Sequence, residues 1–217
     1  VDTVYINIAE RKQRLEKSEM MLLDLLANFD WNRPICFTQV YILQDLGLLD
    51  YLQFDGYAYR LVPIMTPYRS SWDIGRIDTD VTYPLLKDVF RYGNLAEEGV
   101  HADHFTQYNL SASRARESFA RVAKQLIREG KEDQALELLD RGLEVLPSPK
   151  IRYSDANTYP FIEAYYSLSE WEKGDDLMQH YLQTLIEYIE YYLQFDGMQA
   201  NLVGNIVQDK LDSLFEL

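Results

Sequence analysis

A chain of 217 residues, 47% of them hydrophobic, is long and apolar enough for one large or two small folded domains with a sizeable core. Its 21 Lys and Arg stand against 35 Asp and Glu, and the net charge of −14 repels a phosphate backbone unless basic residues cluster. The densest basic stretch, Arg11, Lys12, Arg14 and Lys17, is broken by Glu10 and Glu16, which excludes nucleic acid as a partner.

The single cysteine, Cys36, sits in the apolar run Pro34-Ile35-Cys36-Phe37 and reads as a small buried hydrophobe, so no disulfide framework is expected. No apolar run approaches the roughly 20 residues that a membrane-spanning helix needs. Opening on Val1 with no signal-like segment, the chain reads as soluble and as part of something longer.

Val4 to Ile8 is rich in β-branched and aromatic residues and predicts a short strand. Ser18 is the expected N-cap of a helix carrying Met20, Met21, Leu22, Leu23, Leu25 and Leu26, apolar around most of its circumference and so expected to be buried on more than one side. Trp31 to Pro34 forms a turn, and Ile35 to Val40 a second strand; strand, helix and strand in that order read as a βαβ-like unit. Asp55-Gly56 then marks a tight turn between Tyr51–Phe54 and Tyr57–Val62, a hairpin. After a long irregular stretch from Tyr68 to Asp80, a helix is expected from Tyr83 to Phe90, with Pro84 in its first turn and Gly93 past its end.

From Leu95 the composition turns polar and small. The expected organisation is a small α/β domain over 1–95, a linker over 96–112 and a region of helical repeats over 113–217, an α+β fold. The repeat begins with two apolar stripes at helical spacing, Phe119, Val122, Ala123, Leu126 and Ile127, then Ala135, Leu136, Leu139 and Leu143, around Glu129-Gly130-Lys131. With Ala123 and Ala135 where two helices cross and Pro147 after the second, this is the order of a tetratricopeptide repeat. A looser unit runs from Pro160, with Thr158 a possible cap, to Tyr192; Gly174 and Tyr165 occupy the positions of Ala135 and Leu126. Beyond Gly197, the stripe Leu202, Val203, Ile206, Val207, Leu211 and Phe215 is expected to cover the open face of the last hairpin. Tyr-Leu-Gln-Phe-Asp-Gly occurs both at Tyr51–Gly56 and at Tyr192–Gly197, with different flanks, and reads as a coincidence.

No phosphate loop, nucleophile elbow or zinc signature is present, and no catalytic residue, metal or cofactor is assigned. His101, Asp103 and His104 have metal-ligand chemistry but no second cluster, so they read as a solvated loop, and His180 as a structural or exposed helix residue. Asp78 and Asp80, near Asp73 and Arg76, are the one carboxylate group that a hydrolase reading would use. Seventeen Tyr and three Trp, many beside polar residues as in Trp31-Asn32-Arg33 and Tyr57-Ala58-Tyr59-Arg60, suit peptide or sugar recognition and equally a Tyr-rich core.

Lys17 to Asp24, Trp31 to Phe37, Tyr51 to Gly56, Tyr59 to Ile64, Gly75 to Asp80 and Phe90 to Asn94 occur in an order that resembles the C-terminal soluble region of a family of bacterial multi-pass membrane proteins similar to protein O-mannosyltransferases. The resemblance implies a parent with a membrane bundle of the GT-C glycosyltransferase type, which transfers sugar from a lipid-linked donor outside the cytoplasm. This chain would be its non-catalytic appendage on the periplasmic face of the inner membrane, reaching the membrane only through the parent's missing N-terminal part. Its partner would be a protein or peptide acceptor, or a glycan, held at the repeat groove with Trp31, Arg33, Tyr59, Arg60, Arg76 and Asp78 as candidate contacts. The alternatives are a tetratricopeptide-type interaction scaffold unrelated to sugar transfer and a carboxylate hydrolase built on Asp78 and Asp80.

Overall fold

The computed structural model describes residues 4–68, 70, 74–103, 112–148, 151 and 153–215. The chain forms two compact units, Val1–Val89 and Phe90–Leu217. The fold is α+β: a small antiparallel sheet near the N-terminus, followed by helices.

In the first unit, residues 4–9 make no strand pairing. They are tied down instead by Ala9 N–H donating to the Asp45 carbonyl at 2.9 Å. Helix α1 (Lys17–Ala27) starts two residues earlier than Ser18 predicts. Its N-cap is Glu16, in a capping box in which the Glu19 carboxylate accepts the Glu16 N–H at 2.7 Å. The helix is buried on one side only: Leu22 is buried, whereas Met20, Met21 and Leu25 are exposed. Apolarity around the circumference therefore did not translate into two-sided burial.

Strand β1 (Cys36–Phe37) is much shorter than the Ile35–Val40 run, because from Val40 the backbone turns helical into α2 (Tyr41–Gln44). A 3₁₀ turn (Leu49–Tyr51) leads into β2 (Leu52–Phe54), and β3 (Tyr59–Leu61) returns. The hairpin forms as the Asp55-Gly56 signal predicts, with Gly56 at φ 91° and Asp55 N–H donating to the Ala58 carbonyl at 2.9 Å. The sheet order is β1-β3-β2, antiparallel throughout, which replaces the expected βαβ connection. Among the described residues β1 pairs through Cys36 and Phe37 alone, both antiparallel to β3, so no crossover joins β1 to a parallel strand.

Pairing places Phe37, Tyr59 and Phe54 in one row and Leu61 opposite Leu52 in the next but one. This face packs on the core built around Leu22, Leu43, Leu46, Leu48 and Leu49. Burial of each such leucine contributes about 1.5–3 kcal/mol. The other face carries Cys36, Arg60 and Gln53. Helix α3 (Thr79–Pro84) follows and passes into a π-helical turn (Leu85–Val89). Pro84 is thus the last residue of α3, and helix formation begins at Thr79, four residues ahead of the expected start.

The second unit consists of α4 (Ala112–Arg128), α5 (Glu132–Val145), α6 (Asp155–Ser167), α7 (Trp171–Tyr192) and α8 (Gly197–Phe215). Helix α4 packs on α5 and α6, α6 on α7, and α7 on α8. The stripes read from the sequence form this core: Phe119, Ala123, Leu126, Ala135 and Leu139 are fully buried. Gly130, at φ 73°, makes the α4–α5 turn. Helix α6 is capped by Ser154, in a capping box with Asn157, rather than by Thr158. The Tyr92 ring lies 5.4 Å from that of Phe119, which joins the segment after Phe90 to the helical unit.

Candidate functional site

The face of the sheet away from the leucine core brings charged side chains into one row in the first unit. Strand register sets Cys36 opposite Arg60 and Arg60 opposite Gln53. Arg76 then extends the row by a parallel bridge to Gln53, in which Phe54 N–H donates to the Arg76 carbonyl at 2.8 Å and Arg76 N–H to the Leu52 carbonyl at 2.9 Å. The strand signals of the sequence did not include this fourth edge.

The side chains along the row bond to one another. Arg76 Nη1 donates to Gln53 Oε1 at 2.7 Å and lies 3.6 Å from Asp78 Oδ2. Gln53 Nε2 donates in turn to Asp55 Oδ1 at 2.9 Å. Arg60 Nη2 donates to the same oxygen at 3.2 Å, and Arg60 Nε lies 2.8 Å from Asp55 Oδ2 at an angle too bent for a hydrogen bond. The result is a ladder, Asp78–Arg76–Gln53–Asp55–Arg60, in which two guanidiniums and two carboxylates neutralise each other.

Gln53, at 3% exposure, is sealed at the centre, while Arg60, Arg76 and Asp78 keep roughly a third of their side chains in water. Asp78 also begins α3, its carbonyl accepting the Thr82 N–H at 2.8 Å. The Thr82 hydroxyl lies within hydrogen-bonding distance of the Phe54 carbonyl (3.2 Å) and the Asp78 carbonyl (2.9 Å), which fixes the start of α3 to β2. Cys36, at the outer end of the row, is exposed rather than buried. Partial burial and the Asp55 charge push its thiol pKa up, against the opposing effect of Arg60, so the group is held as the unreactive thiol.

Of the six residues singled out from the sequence, Arg60, Arg76 and Asp78 belong to the ladder. Tyr59 lies next to it in the chain but on the opposite face, its ring 5.3 Å from that of Phe54 and packed against the core. Trp31 lies in the turn after α1, 45% exposed, its ring 4.7 Å from Phe29. Its φ of 63° is uncommon for a bulky residue. The Asp30 carboxylate holds this turn by accepting from Asn32 N–H (3.0 Å) and Nδ2 (2.8 Å), bonds that lower the Asp30 pKa. Arg33 is exposed beside it. Gln53 and Asp55 are the ladder members that residue type alone did not single out. The Asp-Gly turn was the available signal, because counting outward from it sets Gln53 opposite Arg60.

Chemically, the row offers guanidinium donors and carboxylate acceptors side by side with no net charge. That suits a ligand whose hydroxyls both donate and accept. Among the described residues no group of three or more His, Cys, Asp or Glu is placed to hold a metal ion. His101 is exposed, and His104 lies outside the described residues. His180 Nδ1 is 2.8 Å from the Asp176 carbonyl one turn back on α7, a local contact. The two copies of Tyr-Leu-Gln-Phe-Asp-Gly share only a left-handed final glycine: the first builds β2 and the ladder, the second ends α7.

Residues 1–81 match the family model described as TMEM260-associated domain 2. No curated protein and no solved structure matches the chain. Every member of the ladder lies within the matched segment, and the helical unit lies outside it. Among the described residues no helix is long and apolar enough to cross a membrane.

Proposed function

We propose that this chain is a non-catalytic recognition segment of a membrane glycosyltransferase, acting outside the cytoplasm, and that the ladder in its first unit holds the acceptor protein or peptide. The observation that carries the reading is the ladder itself. Arg60, Asp55, Gln53, Arg76 and Asp78 form a preorganised and neutral row of donors and acceptors, its charged members half-buried, on the sheet face away from the leucine core and inside the segment that matches a TMEM260-associated domain. The resemblance of the same segment to proteins similar to O-mannosyltransferases supplies the reaction, transfer of a sugar from a lipid-linked donor. The ladder supplies no nucleophile and no general base of its own, because its carboxylates are engaged with Arg60 and Arg76.

The test is calorimetric titration of the chain with a Ser/Thr-rich peptide and with its singly mannosylated form, repeated with Arg76→Ala and Arg60→Ala. Binding that both variants weaken at least tenfold supports the proposal. Peptide binding that neither variant alters moves recognition to the helical unit and favours a tetratricopeptide-type scaffold, a second reading that the buried hairpin core around Phe119, Ala123 and Ala135 supports.

A further inference from the structure

The last helix departs from a regular repeat array. Helix α6 packs on both α4 and α7, whereas α8 packs on α7. The final stripe is therefore covered only in part. Val203, Val207 and Leu211 are half-buried, while Met198, Leu202 and Ile206, spaced one turn apart along another face, are exposed, Met198 at 81% and Leu202 at 75%. Tyr191 and Leu193 are likewise exposed at the end of α7. The corner between the two helices is firm: the Tyr191 ring lies 5.2 Å from that of Tyr192 and 5.4 Å from that of Phe195, both edge-on.

Charge decides what such a face can accept. From Trp171 to Leu217 the sequence holds nine Asp and Glu against two Lys and no Arg, a net charge of −7, which is half of the chain's −14 on under a quarter of its length. Asp196 and Asp209 stand exposed at the two ends of the Met198–Ile206 stripe, and Glu187 and Glu190 are exposed on α7. A second copy of the same face would bring −7 against −7, and an anionic lipid surface would be repelled in the same way. A cationic amphipathic helix meets both demands, with apolar side chains one turn apart for the stripe and Lys or Arg for the carboxylates at its ends.

We propose that the α7–α8 end of the second unit is a docking surface for a basic amphipathic helix of a partner protein, laid along Met198, Leu202 and Ile206. This surface is independent of the ladder and of the sugar-transfer reading. The probe is a synthetic 18-residue amphipathic helix of Leu and Lys, with a Leu and Glu counterpart as control, titrated by fluorescence anisotropy into the full chain and into a Met198→Ser/Leu202→Ser variant. Both substituted side chains are largely in solvent, so the variant keeps the fold, which its far-UV circular dichroism checks. The proposal expects the Lys peptide to bind, the Glu peptide not to bind, and the variant to lose at least tenfold in affinity.

Equal binding by the variant would reduce the attraction to bulk charge and overturn the proposal, as would no binding at all. Sedimentation that shows the chain dimeric and the variant monomeric would assign the face to a second copy instead. Cosedimentation of the chain, but not of the variant, with phosphatidylcholine vesicles would assign it to a membrane.

Discussion

Arg76 Nη1 donates to Gln53 Oε1 at 2.7 Å, and the amide of Gln53 passes the contact on to Asp55 through Nε2 at 2.9 Å. One buried amide thus serves an arginine with its oxygen and an aspartate with its nitrogen. Replacing it by Leu, which keeps the volume, takes from Arg76 its amide acceptor and from Asp55 Oδ1 one of its two donors, so that Asp78 and Arg60 alone answer them at the centre of the ladder. Gln53→Leu is expected to destabilise the first unit by about 1–3 kcal/mol. Because the chain has two units, the measurement is hydrogen exchange at the amides of β2 and β3 rather than a single melting curve. Unchanged protection there would show that the ladder is not part of what holds the sheet.

Acid should loosen the same unit through a second polar cluster. Lys12 Nζ lies 2.6 Å from Glu19 Oε1 and 3.5 Å from Asp45 Oδ2, and Arg11 Nη2 lies 2.7 Å from Asp45 Oδ1. The hydrogen bond from Lys12 holds the pKa of the buried Glu19 below its ordinary 4.5, and that from Arg11 holds Asp45 below its ordinary 3.8. Both folded values are depressed, so the unfolded chain binds more protons in this range. The stabilisation is complete above about pH 4.5 and is lost as the pH falls through the folded values. Exchange protection in α1 is expected to fall with pH below that point. Lys12→Met should be less protected at neutral pH and show a shallower fall in acid; parallel curves for the two proteins would remove Lys12 from the account.

How much of this was legible in the sequence differs between the two units for a physical reason. In the helical unit the signals were local: the stripes through Phe119 and Ala135 and the Gly130 turn act within one hairpin, and they produced it. The β2–β3 hairpin was legible for the same reason, from Asp55-Gly56. The parallel βαβ reading failed because Ile35 to Val40 is an apolar run whose strand content depends on pairing with Arg60 and Tyr59, more than twenty residues away. The site was half legible. Arg60, Arg76 and Asp78 stood out by type, but the bridge that brings Arg76 to Gln53 spans 23 residues and leaves no periodic trace. Likewise, the exposure of Leu202 follows from α8 packing on α7, which the amphipathic pattern of α8 does not encode.

Arg116 is wholly buried in α4, where it secures the segment after α5. Its Nη1 donates to the Ile151 carbonyl at 3.2 Å, its Nη2 to the Leu146 carbonyl, and its guanidinium carbon lies 5.5 Å from the centre of the Tyr153 ring. Burial pushes its pKa down to about 10, which still leaves it charged at neutral pH. Arg116→Met fills the space but strands two carbonyls at and beyond the end of α5, at an expected cost of about 2–3 kcal/mol. Arg116→Lys restores a charge and one donor site at most, and should recover part of the loss. The check is urea unfolding followed by far-UV circular dichroism, which the helices dominate. A methionine variant as stable as the parent would mean that Leu146 and Ile151 find other donors.

Two helical glycines make opposite predictions from the same substitution. A Cβ on Gly142 would lie 2.8 Å from Cγ of Phe119 and 3.1 Å from Cζ of Phe161, both fully buried, so the close crossing of α4, α5 and α6 depends on the missing methyl. Gly142→Ala forces these rings apart and is expected to cost about 1–3 kcal/mol, although alanine is the better helix former. Gly204, inside α8, has nothing within 4 Å of its would-be Cβ and is exposed. There the change only removes backbone freedom from the unfolded chain and should stabilise α8 by about 0.5–1 kcal/mol. Thermal unfolding of the two variants by circular dichroism gives shifts of opposite sign if the crossing is as tight as these distances require. A neutral Gly142→Ala would mean that Phe119 can move aside without loss, and the packing of the first hairpin against α6 would then not be what selects a glycine at this position.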